Sequence, residues 1–406
     1  MIPGTGSGGI ETVLIALVHA LGQLEGPEDY VVVGPWQEPD WLKPYMGQNQ
    51  RTARGPRMQA VKQALSPLKP LVRMARRTSA WISGSGESWP RLAKSNGFYE
   101  ELGCQVIHFP YQHFILSELP SVFNPHDLQH VHYPQFFSPA DLKWREVTYG
   151  AACRAANTVA VGSDWVKQDI INHYGIPAGK IQTIAWAPPT RAYSEPTEEI
   201  LETVRRTYSL SGKFALYPAM TWEHKNHVRL LQALAVLRDK QGIEVDLVCT
   251  GHQTEFFSNI KKTMTNLQLD HHVRFLGMIP SEHLRAIYRL AQFVIFPSLF
   301  EAAGGPLMEA WAEGTPVACS AITSIPEQAA NAALLFDPLS VAGIADALNK
   351  MATDAGIRET LAQRGFVRLK DFNWEKTAKA YRAVYRRAAG CVLDEEDRFM
   401  LGGGPD

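Results

Sequence analysis

Two glutamates separated by seven residues stand in the stretch PSLFEAAGGPLMEAWAEGTPV, Pro297 to Val317. Glu301 closes a strand-and-loop run, Gly304, Gly305 and Pro306 follow, and Glu309 lies one turn into the next helix. Proline near the first helical position, behind glycines, is a helix-start signal. The backbone N–H groups of Gly305, Leu307 and Met308 at such a start are expected to be free, forming an anion site suited to a diphosphate. Carboxylates accept two hydroxyl donors at once. Glu301, in the loop, could therefore take sugar hydroxyls, and Glu309 a ribose diol. An ordinary loop charge and a helix-face charge would leave the same letters.

Other chemistry-bearing residues lie far from this pair. Gly4-Thr5-Gly6-Ser7-Gly8-Gly9 satisfies G-x-G-x-x-G and runs into a helix pattern beginning near Ile10. Glycines there, Gly8 and Gly9 among them, let backbone approach a phosphate or sugar with helix-dipole support. A dinucleotide reading needs a preceding strand, yet only Met1–Pro3 stand before the loop: either the strand is absent or the gene begins upstream. A plain capping loop also stays open. His126, with His113, His130 and His132, suggests a metal only until spacing is read. No H-E-x-x-H frame or carboxylate set accompanies it, so no metal is expected, and a structural histidine remains an alternative. From Trp41 to Gly86 there are nine lysines and arginines and no acid. Such a basic, partly amphipathic span can lie on an anionic membrane or guide an anionic lipid-linked acceptor, or be a solvated hairpin on the rim of its domain.

The elements that must carry these residues alternate. Apolar runs Phe214–Pro218, Val245–Gly251, Val273–Gly277, Phe293–Ser298 and Pro316–Ser320 are separated by helix-period segments such as His227–Lys240 and Glu282–Ala291. This predicts a parallel sheet covered on both faces. The first half repeats the pattern more loosely at Tyr30–Val33, Val106–Phe109, Thr158–Gly162 and Ile181–Trp186. Length fits two domains. The expected architecture is α/β: two Rossmann-like doubly wound domains, residues 1–187 and 212–372, facing across a cleft. A proline- and acid-rich linker fills 188–211, a helix over 373–390 crosses back to the first domain, and a disordered tail follows from 391 to 406. The composition is 45% hydrophobic and 20% charged with net charge −1, and nothing in it points to a nucleic-acid binder or a disordered chain. Five scattered cysteines without a C-x-x-C pair suit a reducing compartment. No apolar run is long enough to span a bilayer. The expected location is cytoplasmic, with peripheral contact at the inner membrane face through residues 41–86.

The glutamate stretch resembles the E-x7-E motif of the family-4 retaining glycosyltransferases, which adopt the two-domain GT-B fold. Several other segments are similar to family segments in the same order: GSGGIETVLIAL, NPHDLQHVHYPQFFS, ANTVAVGSDWVKQDI, YPAMTWEHKNH, VDLVCTG, VRFLGMIPSEHLRAIYRLAQFVIFPS and GTPVACSAITSIPE. The resemblance implies transfer of a sugar from a nucleoside-diphosphate sugar to a carbohydrate or lipid-linked acceptor hydroxyl, with retention. Glu301, Lys225 and His126 would be catalytic. Gly8, Gly9, Lys225, Thr250, Gly251, Met278, Gly304, Gly305, Pro306, Leu307 and Glu309 would meet the donor. No cofactor and no metal are expected, since Asp-x-Asp is absent from the chain. Two departures stand out. Met220 occupies a place where many members carry arginine, leaving Lys225 as the single cation, with His224, His227 or a backbone dipole as the remaining helpers. Ala302-Ala303 replace the family's loop phenylalanine. The alternatives are another GT-B enzyme, such as a sugar-nucleotide epimerase or phosphorylase, and a non-catalytic sugar-nucleotide-binding protein.

Overall fold

The computed structural model describes residues 9–56, 92–188 and 195–402, and every strand pairing among them is parallel. In the C-terminal half the spatial order is Val273–Phe275, Leu247–Thr250, Ala215–Pro218, Phe293–Phe296, Val317–Ser320 and Leu334–Phe336. Counted along the chain this is 3-2-1-4-5-6, the doubly wound order. Its strands are almost wholly apolar because helices cover both faces: Val248, Val294, Ile295 and Ala318 are fully buried. The winding reverses between Ala215–Pro218 and Phe293–Phe296. The loops leaving those two strands carry Lys225 and Glu301, and that is where such a fold opens its ligand crevice.

The N-terminal domain holds a four-stranded sheet, Ile107–Phe109, Ser121–Phe123, Thr158–Val161 and Ile181–Thr183, and a separate pair, Tyr30–Gly34 with Gln50–Arg54. The helix Trp374–Ala388 packs on the helix Gly9–Gly22 through Tyr381, Ala378 and Leu17, in one apolar cluster with Val122 and Ala160. The order of layers is α/β throughout, in two domains.

Two expectations need correction. The stretch 188–211 is not a plain linker: Glu198–Thr207 is a helix, capped by the Thr197 hydroxyl. Its Leu201 and Val204 enter the C-terminal core; two apolar residues three apart are easily lost among four acids and three prolines. The tail is not disordered through to Met400. Glu395–Met400 is a helix opened by a reciprocal Asp394–Asp397 capping box, and its acids pair with Arg382 and Arg386 of the preceding helix. Acids that read as solvated charge are there ion-pair partners. Within the basic span, Gln50–Arg54 is a strand, while residues 57–86 of that span lie outside the described residues. So do Gly4 to Gly8 of the glycine loop. Among the described residues no helix is long and apolar enough to cross a membrane.

Candidate active site at the switch point

Lys225 ends a short 3-10 turn, Glu223–Lys225, after which Asn226 takes the left-handed conformation (φ 62°). Asn tolerates that region better than most residues, and here its side chain gains partners. Asn226 Nδ2 donates to the carbonyls of Pro297 and Pro338, both at 2.9 Å, which ties the lysine turn to the loop bearing Glu301. Tyr217 Oη donates to the Lys225 carbonyl at 2.6 Å. So placed, Lys225 Nζ donates to Glu301 Oε1 at 2.5 Å, with side-chain exposures of 19% and 10%. The cation and the carboxylate expected to serve a diphosphate and a sugar are each other's partner.

Glu309 goes elsewhere. It accepts from Tyr288 Oη of the neighbouring helix at 2.8 Å, and burial raises its carboxyl pKa. The anion site expected at the helix start is corrected. The Gly305 N–H donates to the Ala303 carbonyl, and those of Leu307 and Met308 both to the Gly304 carbonyl. The tight Gly304–Pro306 turn brings these acceptors within reach, so the three donors are engaged locally. The dipole of the helix Gly305–Ala312 remains. Gly304 itself is enclosed, since a Cβ there would stand 2.8 Å from Ile325 Cδ1, whereas Gly305 faces open space.

The two histidines that could have supported Lys225 are not cations. Burial, with the charge of Lys225 next, lowers the pKa of both His224 and His227 to about 3. Thr250 is buried, and Gly251 (φ 110°) lies where a Cβ would come within 2.7 Å of the Ala219 carbonyl carbon. Only glycine allows that close approach beside Met220. Met278 is 61% exposed at the mouth of the next strand.

On the facing domain, His126 is buried with φ 68°, a sparsely populated conformation of the kind found at functional sites. Its Nε2 lies 2.8 Å from the Pro110 carbonyl. A carbonyl only accepts, so Nε2 carries the proton and Nδ1 is an acceptor. Burial lowers its pKa to about 4, leaving a neutral ring. Gly9 is the first residue of its helix, and a Cβ there would meet no atom of the described residues within 4 Å; Gly8 lies outside the described residues. Three side chains at the site were not singled out from sequence: Tyr288, which holds Glu309; Asp127, next to His126, whose carboxyl pKa is raised by burial; and Phe300, seated against His132 and Trp165 of the other domain. Asp127 and Phe300 adjoin flagged residues. Tyr288 gave no signal, being 21 residues from its partner. Among the described residues no group of three or more His, Cys, Asp or Glu could hold a metal ion.

Comparisons with known proteins bear on the family and the fold. A sequence profile described as "Glycosyltransferase Family 4" matches residues 7–186, and one described as "Glycosyl transferases group 1" matches residues 208–368. An Escherichia coli protein named O-antigen chain mannosyltransferase B is 28% identical over 264 residues, 64% of this chain and 69% of that protein. A D-inositol 3-phosphate glycosyltransferase of Corynebacterium efficiens is 28% identical over 250 residues, 59% of this chain and 58% of that protein. The crystal structure of HepE from Anabaena, in complex with UDP and glucose, superposes with a TM-score of 0.64 at 16% identity, over 94% of this chain and 96% of that one. This last likeness speaks for the fold. With both domains matched in order and parallel α/β sheets in each, the chain belongs to the family-4 glycosyltransferases of the GT-B fold.

Proposed function

We propose that the chain transfers a hexose, with retention at the anomeric carbon, from a nucleoside-diphosphate sugar to the hydroxyl of a carbohydrate or lipid-linked acceptor, without a divalent ion. The observation that carries this reading is the Lys225–Glu301 pair at 2.5 Å on the two loops flanking the switch point. A departing diphosphate needs a cation, and an oxocarbenium-like centre needs carboxylate and hydroxyl-accepting groups around it. Lys225 supplies the first without metal, aided by the dipole of the Gly305 helix. Glu301 then takes sugar hydroxyls, His126 Nδ1 accepts from the donor sugar, and Glu309 accepts from the ribose diol. No nucleophile on the protein is required: in this mode the leaving phosphate takes the acceptor proton on the same face. The name of the O-antigen chain mannosyltransferase supports a hexosyl donor and a glycan acceptor, whereas that of the Corynebacterium relative points to D-inositol 3-phosphate. The basic span 41–86 is proposed to meet an anionic membrane surface carrying such an acceptor.

The test is a panel of uridine and guanosine diphosphate sugars. A true donor at a hundred times its dissociation constant stabilises the protein by about 2.7 kcal/mol, visible as a thermal shift. With that donor, Lys225→Ala is expected to lose about 2 kcal/mol of transition-state stabilisation or more, and wild-type turnover to persist in excess EDTA. Wild-type rates in Lys225→Ala would place the diphosphate elsewhere; loss in EDTA restored by magnesium or manganese would overturn the metal-free reading.

A further inference from the structure

The segment Thr323–Ala330 passes beneath the Glu301 loop and grips it at both ends. The hydroxyls of Thr323 and Ser324 donate to the Glu301 carbonyl at 2.6 and 3.1 Å, and Gln328 Oε1 accepts from the Gly304 N–H at 2.6 Å. Thr323 and Ala330 bracket the segment with φ 46° each, a conformation that neither residue type favours and that persists only where surroundings demand it. Arg368 secures it from behind through the carbonyls of Glu327 and Gln328.

From the middle of this segment Glu327 leaves its own domain. Its Oε1 accepts from the Asp164 N–H and its Oε2 from the Trp165 N–H, both at 3.0 Å. These are the first two residues of the helix Asp164–Tyr174 in the N-terminal domain, whose opening N–H groups have no intrahelical partner. A carboxylate is the side chain that such a helix start favours. Beside this contact Ser163 Oγ donates to the Ala302 carbonyl at 3.3 Å, and the Phe300 ring lies 5.5 Å from that of His132. One short segment therefore holds the Glu301 loop with one set of groups and the opposite domain with another.

We infer that Glu327 is a positioning residue for sugar transfer: by capping a helix of the facing domain from the segment that grips Glu301, it sets where the Glu301 carboxylate stands relative to the acceptor side of the cleft. This rests on the reading of the cleft as the donor site. Glu327 and Asp164 are exposed, so their loss costs little stability and the variants fold.

The test pairs two ways of breaking one contact. Glu327→Ala removes the acceptor. Asp164→Pro removes a donor N–H while suiting the first helical position, where proline is welcome. Because Asp164 Oδ1 also accepts from Thr183 Oγ1 at 2.6 Å, Asp164→Ala serves as its control. Glu327→Ala and Asp164→Pro should each lower kcat by about tenfold, the scale of a small misplacement of reacting groups. Each should bind UDP and GDP within about twofold of wild type, since the proposed nucleotide contacts lie in one domain. Asp164→Ala should stay near wild type, the double variant should lose no more than either single one, and Glu327→Gln, which keeps one acceptor oxygen, should fall between. Wild-type kcat in Glu327→Ala, additive losses, or equal losses in Asp164→Ala and Asp164→Pro would overturn the role of Glu327 alone. A wild-type protein that neither binds nucleoside diphosphate nor transfers sugar would overturn the donor-site reading, and this inference with it.

Discussion

At the scale of single residues, the two glutamates differ in what they already hold. Glu301 is the partner of Lys225, whereas Glu309 is held by Tyr288 through one of its two oxygens. Replacing Glu301 by Gln removes the charge that occupies Lys225 but leaves the lysine in place. Binding of bare nucleoside diphosphate is therefore expected to stay the same or tighten, while turnover falls because sugar contacts can strengthen as charge develops at the anomeric carbon. Glu309→Gln is expected to weaken binding of the bare nucleoside diphosphate by about tenfold, the loss of one hydrogen bond to a charged group. Ribose contacts change little along the reaction, so its turnover at saturation should hold. Calorimetric titration of each variant, followed by initial rates, checks both. Two variants that bind and turn over like wild type would remove the assigned roles of the pair.

At the scale of elements, the returning helix Trp374–Ala388 is pinned by a buried polar chain. His108 Nε2 lies 2.8 Å from Asn124 Oδ1 and its Nδ1 2.8 Å from Tyr385 Oη, while Asn124 Nδ2 donates to Tyr381 Oη. The ring is neutral, since burial lowers its pKa from 6.5 to about 4. His126 and His227 are lowered likewise, to about 4 and about 3. A histidine with a depressed folded pKa takes up a proton on unfolding, so the unfolded chain binds more protons below pH 6.5. Their contribution is complete above that pH and is lost as pH falls toward 4, by at most about 1.4 kcal/mol per pH unit for each proton. The midpoint of thermal unfolding is expected to drop steeply between pH 6.5 and 4.5 and to be nearly flat from 7 to 8. A flat profile across the acid range would show these rings to be protonated in the fold.

At the scale of the whole molecule, a net charge of −1 from 40 basic and 41 acidic residues conceals strong segregation, because residues 41–86 carry nine of the basic residues and no acid. Among the described residues of the span, Arg51 donates to the Leu102 carbonyl and Arg54 lies over the Trp36 ring. The rest are the source of the proposed membrane attraction, at about 1 kcal/mol per surface cation near anionic lipid. The protein should co-sediment with vesicles containing anionic lipid and not with neutral ones, and release as salt rises. Equal indifference to both vesicle types at low salt would return the span to a solvated rim of its domain.

What was legible from sequence was whatever repeats locally. Runs such as Phe293–Phe296 and Val317–Ser320, with amphipathic helices between them, declare a buried parallel sheet because burial on both faces leaves no room for polar alternation. The spacing of Glu301, the glycines and Glu309, and the placing of Lys225 after its strand, marked the site for the same reason: each rests on a strand end and a helix start within a few residues. The helix Glu198–Thr207 was lost because its apolar face is two residues wide, and Glu395–Met400 because its capping acids look like solvent charge. Which atoms meet was decided only by tertiary structure. Lys225 and Glu301 are 76 residues apart, and nothing in either segment declares that the cation is spent on that carboxylate. Nor does it declare that the Gly305, Leu307 and Met308 donors close on their own loop, that His224 and His227 are neutral, or that Glu327 caps a helix of the other domain. Periodicity is a property of neighbours along the chain, whereas a hydrogen bond or a pKa depends on a few ångströms and on exclusion of water, which arise when distant elements pack together.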